Sequence, residues 1–280
     1  MLSISPISSS AGGAASYYLS EEKNLNLPDV SLEKDDNTKE GEANYYLKEQ
    51  SAEPNTQWFG KLAEQEGMLG KSVEEEQLTN VLAGDLNGET VAVKRENHRN
   101  GFDFTFSAPK SVSLLALVGG DKRLMAAHDN AVKFALSQVE QDAAQAKQTD
   151  PASKATLFEN TGNLLFAMVR HKTSRESDPQ LHTHSLTANM TRDSEGRLRA
   201  LASSFKQKGG VINGTGERVY NHQKYYTSLY QSTLARSVEQ MGYQTRALGN
   251  NLFEVEGVPQ DLLDTFSTRS QQINEQTQSM

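Results

Sequence analysis

The clearest alternation along the chain is FDFTFS, residues 102 to 107. Phe102, Phe104 and Phe106 fall on one side and Asp103, Thr105 and Ser107 on the other, the period of a half-buried strand. The proline that follows admits a helix, and Leu124, Ala127, Ala131, Ala135 and Val139 recur at the spacing of a longer one. Two segments, GNLLFAMV and LHTHSLTANM, read as strands around the turn-like SRESDP, which predicts an antiparallel hairpin. MLSISPI suits a short first strand, and SAGGAASYYLS a small-residue turn entering a helix. Helical patterns over WFGKLAEQEG and SVEEEQLTNVLAG are each stopped by a glycine. A long helical stretch lies between Gly216 and Gly242, and the last segment predicts a hairpin turning at Gly249-Asn250-Asn251. No internal repeat is visible, and the whole reads as mixed α and β.

Between the early tyrosines lies EEKNLNLPDVSLEKDDNTKEGE, which is acidic, polar and weakly periodic and is expected to be a mobile loop. With 280 residues the chain can bury a substantial core as one large domain, or as a domain with appendages. No apolar run approaches membrane-spanning length, and the N-terminus lacks the basic start and apolar centre of a signal peptide. The cytoplasm is the default expectation. The absence of cysteine excludes disulfides and thiolate metal sites, so any metal must take nitrogen or oxygen ligands.

A net charge of −8 argues at first against nucleic acid, whose binding draws on Lys and Arg meeting phosphates. The distribution reverses that. Residues 20 to 50 hold nine acids and four bases, whereas residues 92 to 124 hold six bases against three acids and residues 170 to 208 eight against four. Positive charge therefore gathers around the predicted histidine hairpin.

That hairpin spends three of the six histidines, His171, His182 and His184, within fourteen positions. His182 and His184, two apart on a strand, share a face. Pairing His171 opposite either His182 or His184 centres the hairpin within the turn segment, so all three imidazoles would meet on one face. Three histidines leave positions open for substrate or water, as in a catalytic rather than a structural metal site. The alternative is a solvated hairpin with chance spacing. Asp103, an acid in an aromatic strand, either hydrogen-bonds a metal-ligand histidine or faces water. His128, on the apolar stripe of its helix, reads as packed rather than ligating. Of three tyrosine pairs, Tyr225–Tyr226 lies mid-helix and reads as packing, while Tyr17–Tyr18 and Tyr45–Tyr46 bracket the acidic loop. A tyrosine becomes a useful nucleophile with a base or a metal-polarised electrophile, and phosphodiesters fit that description.

Taken in order, ASYYL, FDFTFSAPKSVSLLALVGGDKRLMAAHDNAV, TGNLLFAMVRHKTSRESDPQLHTHSLTANMT and MGYQTRAL resemble the MobF-type conjugative relaxases, the TrwC/TraI-like family of HUH endonucleases. The resemblance covers most of residues 1 to 260. It implies an α+β fold whose central antiparallel sheet is flanked by helices, with the histidine hairpin at the sheet centre. It implies His171, His182 and His184 as metal ligands, Asp103 as the acid beside them, Tyr17 with Tyr18 as the first nicking pair, and Tyr45 with Tyr46 as a second. The chemistry implied is site- and strand-specific nicking and rejoining at a plasmid transfer origin, through a 5′-phosphotyrosine. The implied cofactor is a divalent ion, Mg²⁺ or Mn²⁺ with Zn²⁺ as the alternative; three histidines alone do not choose. Single-stranded or hairpin DNA is the implied substrate, with Lys110, Arg170, Lys172 and Arg175 as phosphate contacts. Accessory relaxosome proteins and a type IV secretion coupling protein are implied partners, in the cytoplasm of a donor bacterium. Residues 1 to 280 are expected to form one relaxase domain, the first part of a relaxase-helicase, with an acidic insertion at about 20 to 43. Tyr17 and Tyr45 stand 28 positions apart, beyond the family's usual spacing, so the assignment of Tyr45 is weaker than that of Tyr17. A zinc-type hydrolase without a covalent intermediate and an inactive single-strand-binding module are the other readings.

Overall fold

A computed structural model of the chain describes residues 1–20, 55–91, 100–149, 152–153, 155–207 and 210–268. The acidic segment and the pair Tyr45–Tyr46 lie outside the described residues.

The centre of the fold is a five-stranded antiparallel sheet. Its strands are β1 (Leu2–Ile7), β2 (Thr56–Phe59), β5 (Gly101–Ser107), β8 (Phe166–Thr173) and β9 (Pro179–Ala188), in the order β1-β5-β9-β8-β2. Two short strands, β3 (Asp85–Leu86) and β4 (Glu89–Thr90), form a separate ribbon, as do β6 (Gln145–Thr149) and β7 (Thr156–Asn160). The predicted hairpin is therefore β8 and β9, with β9 in the middle of the sheet. Alternation divides the sheet into two faces. Phe102, Phe104, Phe106, Phe166 and Met168 join one apolar cluster with the long helix α5 (Lys122–Ala143) and with α7 (Gln223–Gln240). Ala167, Val169, Leu186 and Ala188 join a second cluster with α1 (Ala11–Ser20) and α3 (Glu75–Leu82). Each buried Phe or Leu contributes roughly 1.5–3 kcal/mol to closing these layers.

One sequence expectation is corrected. WFGKLAEQEG is not a helix throughout: Trp58 and Phe59 belong to edge strand β2, and only Lys61–Gln65 (α2) is helical. Gly60 separates them at φ 103°, where an added Cβ would stand 2.4 Å from the Leu164 carbonyl oxygen. That backbone is glycine's own, and Trp58 is held in the strand by its ring N–H donating to Gln77 Oε1 at 2.8 Å.

The other elements follow the sequence closely. Helix α4 (Lys110–Leu117) follows Pro109. The stretch from Gly216 is two helices, α6 (Thr215–Asn221) and α7, meeting at His222. Asn250 and Asn251, at φ 61° and 60°, turn the last hairpin. In the Tyr225–Tyr226 pair, Tyr226 is buried in the core while Tyr225 is exposed.

Candidate active site on the histidine hairpin

The register of the hairpin pairs His171 with His182 and Val169 with His184, with an irregularity between His171 and Thr173. The turn is built as its sequence suggests. Ser174 N–H donates to the Asp178 carbonyl, Ser177 adopts φ 64°, and the Ser174 hydroxyl accepts from the N–H groups of Glu176 and Asp178. The three imidazoles consequently stand on one face, each pair of ring centres 5.2 Å apart. One nitrogen from each ring lies within 4.8 Å of those of the others. The geometry selects pairing with His182 from the two registers the sequence allowed.

Asp103 is buried, only 3% exposed, and faces the histidines from β5. Its Oδ2 lies 2.7 Å from His184 Nδ1 and accepts from the hydroxyls of Thr105 and Tyr18, each at 3.1 Å. Among the described residues its Oδ1 has no hydrogen-bond donor. Of the two readings the sequence left open, Asp103 takes the inward one. Thr105 was missed by sequence reasoning. Its hydroxyl also stands 3.1 Å from His184 Nδ1, and its place one alternation beyond Asp103 could have pointed to it.

The remaining rings are oriented by the backbone. His182 Nδ1 is 3.0 Å from the Gln180 carbonyl and His171 Nε2 is 3.1 Å from the Tyr18 carbonyl. Burial, above all, together with the neighbouring His184 and His171, lowers the His182 pKa to about 4, against a raising contribution from the Gln180 hydrogen bond. The ring is neutral at physiological pH, the form that binds metal. With Nδ1 of His182 and His184 engaged, their Nε2 atoms are the ones left for an ion.

Helix α1 brings the tyrosines. It begins at Ala11, with the Ser10 hydroxyl accepting from Gly13 N–H at 3.2 Å, and it seats Ala14, Ala15 and Leu19 in the second apolar cluster. Small residues let the helix lie close, and both rings reach the hairpin. Tyr18 packs against His184 with ring centres 5.0 Å apart, and Tyr17 against Tyr18 at 5.1 Å. Their hydroxyls differ. Tyr18 donates to Asp103, whereas Tyr17, 43% exposed, accepts from Arg175 at 2.9 Å.

This set fits a divalent ion on chemical grounds: three nitrogen donors, one of them held toward its neutral form by burial, beside a buried carboxylate with an undonated oxygen. The family model described as TrwC relaxase matches residues 11–280. The chain belongs to the TrwC relaxase family. It is 39% identical to the multifunctional conjugation protein TraI of Escherichia coli strain K12 over 98% of its own length, and spans 14% of that relative. Two solved structures share the fold. TrwC complexed with a 27-mer DNA comprising the recognition hairpin and the cleavage site aligns with a TM-score of 0.77 at 32% identity, covering 100% of this chain and 83% of that one. The metal-bound structure of TrwC with transfer-origin DNA gives 0.77 at 31%, with the same coverage.

Within this member of the TrwC relaxase family, the four basic residues expected at phosphates separate. Arg175 is exposed in the turn and touches Tyr17. Lys172 is partly exposed beside His171. Lys110 is half-buried, its Nζ donating to the Pro179 carbonyl at 3.3 Å, and burial lowers its pKa against the raising pull of Asp178 and Glu254. Arg170 is corrected: it is buried, ion-paired with Asp129, and donates to Asn55 Oδ1 at 3.3 Å. So held, its guanidinium lies on the sheet face opposite the histidines, away from the side where a phosphate would meet them. His128 is packed as expected, fully buried between Tyr230 and Thr183. No helix among the described residues is long and apolar enough to cross a membrane.

Proposed function

We propose that this chain is a DNA-nicking and rejoining domain that cuts one strand at a plasmid transfer origin by tyrosine transesterification. The observation that carries the reading is the convergence of His171, His182 and His184 with Asp103 and the Tyr17–Tyr18 pair in one cluster. A divalent ion held by the three histidines supplies Lewis-acid polarisation of the scissile phosphate. Imidazole nitrogens suit Zn²⁺ better than Mn²⁺ or Mg²⁺, and a three-histidine set accepts any of the three.

The chain's own residues do the rest. Tyr17 oxygen attacks phosphorus in line. The bond from phosphorus to the 3′ oxygen breaks, leaving a 5′-phosphotyrosine and a free 3′-hydroxyl once that oxygen takes a proton. Arg175, donating to the Tyr17 oxygen, aims the phenol and meets the negative charge that oxygen carries in attack and again when it leaves on rejoining. Asp103 uses Oδ2 on Tyr18, Thr105 and His184, so its role is orientation and charge. The Tyr17 proton goes to solvent, which reaches that exposed ring. The 5′-phosphotyrosine keeps the ester's energy for rejoining.

The substrate follows from the relatives' DNA complexes and from the basic character of residues 170 to 208. Residues 1 to 280 form one relaxase unit in this reading, part of a longer protein to which contacts with relaxosome proteins and a secretion coupling protein belong. Incubating the chain with single-stranded transfer-origin DNA and Mn²⁺, then resolving products on a denaturing gel, tests it. A protein–DNA adduct lost in Tyr17→Phe is expected. Cleavage without attached protein would make it a metal hydrolase, and salt-sensitive binding without cleavage an inactive module. Mass spectrometry that finds the nucleotide on Tyr45 or Tyr46 alone would move the nucleophile.

A further inference from the structure

Behind the histidines, on the far face of the sheet, an apolar core holds one polar knot. Alternation turns Thr183, which sits between His182 and His184, through to that face, and likewise Arg170, which precedes His171. Arg170 and Thr183 are register partners across β8 and β9. Consecutive residues of helix α5 grip them both. His128 Nε2 lies 2.9 Å from Thr183 Oγ1, its Nδ1 lies 2.8 Å from the Tyr230 hydroxyl on α7, and Asp129 ion-pairs with Arg170. His128, Asp129, Arg170 and Thr183 are 0%, 4%, 6% and 1% exposed, amid Phe106, Ala131 and Val132.

Burying an ion pair and an imidazole in such a core costs desolvation that apolar packing would avoid, so stability alone does not account for the knot. We propose that His128 and Asp129 are positioning residues for the histidine site, clamping from behind the two strands whose front faces carry all three imidazoles. The need is local. The register shifts immediately beyond His171, and a slip of β9 by one residue would turn His182 and His184 to the far face, away from His171. Metal–ligand distances in formed sites keep to within about 0.2 Å of their ideal values. A clamp on the register pair directly adjoining His171 and His182 fixes both strands at once, which separate apolar contacts do less sharply. The inference rests on the reading of the histidines as metal ligands.

Thr183→Val removes one hydroxyl while keeping the volume, and Thr183→Ser restores it. Val139→Ala, a cavity elsewhere in α5, controls for lost stability. Mn²⁺ affinity, measured by calorimetry, should fall about tenfold in Thr183→Val and recover in Thr183→Ser. In the metal-free protein, amide hydrogen exchange across residues 182 to 184 should rise in the first and recover in the second. Val139→Ala should leave both readouts near wild type at an equal or greater loss of melting temperature. If Thr183→Val does not fold, His128→Phe, which keeps the ring's bulk, takes its place with the same expectations. Unchanged affinity in the clamp variant overturns the proposal, as does an equal loss in Val139→Ala. Failure of the wild type itself to bind Mn²⁺, Zn²⁺ or Mg²⁺ overturns the metal reading instead.

Discussion

Replacing Asp103 with asparagine keeps the shape of the side chain and removes its charge. In the native protein Oδ2 accepts from the Tyr18 and Thr105 hydroxyls and lies 2.7 Å from His184 Nδ1. A hydrogen bond to a charged group is worth about 1.5–3 kcal/mol net, and the asparagine amide can keep a neutral version of the His184 bond, so the loss is partial. Removing a carboxylate that orients a ligand histidine costs about 10–100-fold in metal affinity, which at about 1.4 kcal/mol per decade is about 1.4–2.8 kcal/mol. The two routes agree. Asp103→Asn should therefore bind Mn²⁺ between ten and a hundred times more weakly, and nick more slowly even at saturating ion because the acceptor shared by Tyr18 and His184 loses its charge. Calorimetry for binding and single-turnover cleavage on a fluorescent oligonucleotide measure both. Wild-type affinity together with a wild-type rate would refute the reasoning and return Asp103 to a packing role.

His128, fully buried, has its pKa held well below the usual value by desolvation first and then by Arg170 and His182. A depressed folded pKa gives stability that is present above the unfolded value of about 6.5 and lost as pH falls. The metal-free protein should lose up to about 1.4 kcal/mol per pH unit for His128, and likewise for His182, between pH 6.5 and 5; urea melts that stay flat over that window would contradict the burial argument. Gly101→Ala should destabilise by about 1–3 kcal/mol, because its Cβ would stand 1.9 Å from the Thr187 carbonyl oxygen, and an unchanged thermal midpoint would show that β5 and β9 can part there without cost. His182→Ala should abolish nicking while retaining most single-strand binding, since phosphate contacts are spread beyond the site; cleavage retained in a gel assay would remove the histidines from the chemistry.

The parts of this molecule legible in the sequence are those whose geometry is local. Phe102, Phe104 and Phe106 announce their strand by period alone, and three histidines within one hairpin need only a turn to meet. What failed depends on longer-range packing. Trp58 and Phe59 run without a break into a helical pattern, and only the sheet edge beside β8 and the φ of Gly60 make them a strand. Gln145–Thr149 carries too few apolar residues to signal a strand, yet it pairs with Thr156–Asn160. Arg170 was expected at a phosphate because single-stranded DNA must reach the neighbouring histidines. Its position one residue before His171 already put it on the opposite face, so the alternation used for the histidines also argued against a phosphate contact. Tyr17 and Arg175 were each singled out, but nothing along the chain indicated that they touch each other.

The sheet order also sets the sequence of assembly. His171, His182 and His184 sit on neighbouring strands joined by one short turn, so their hairpin can close within about 1–10 μs. Tyr18 and Asp103 are 85 residues apart, and Asp103 and His184 are 81 apart; those closures carry a loop-entropy cost and come later. During refolding, ion capture should thus precede competence to cut. A nascent chain would hold its metal before it holds its nucleophile in place, and stopped-flow refolding that follows Mn²⁺ uptake and adduct formation in parallel would time the two events.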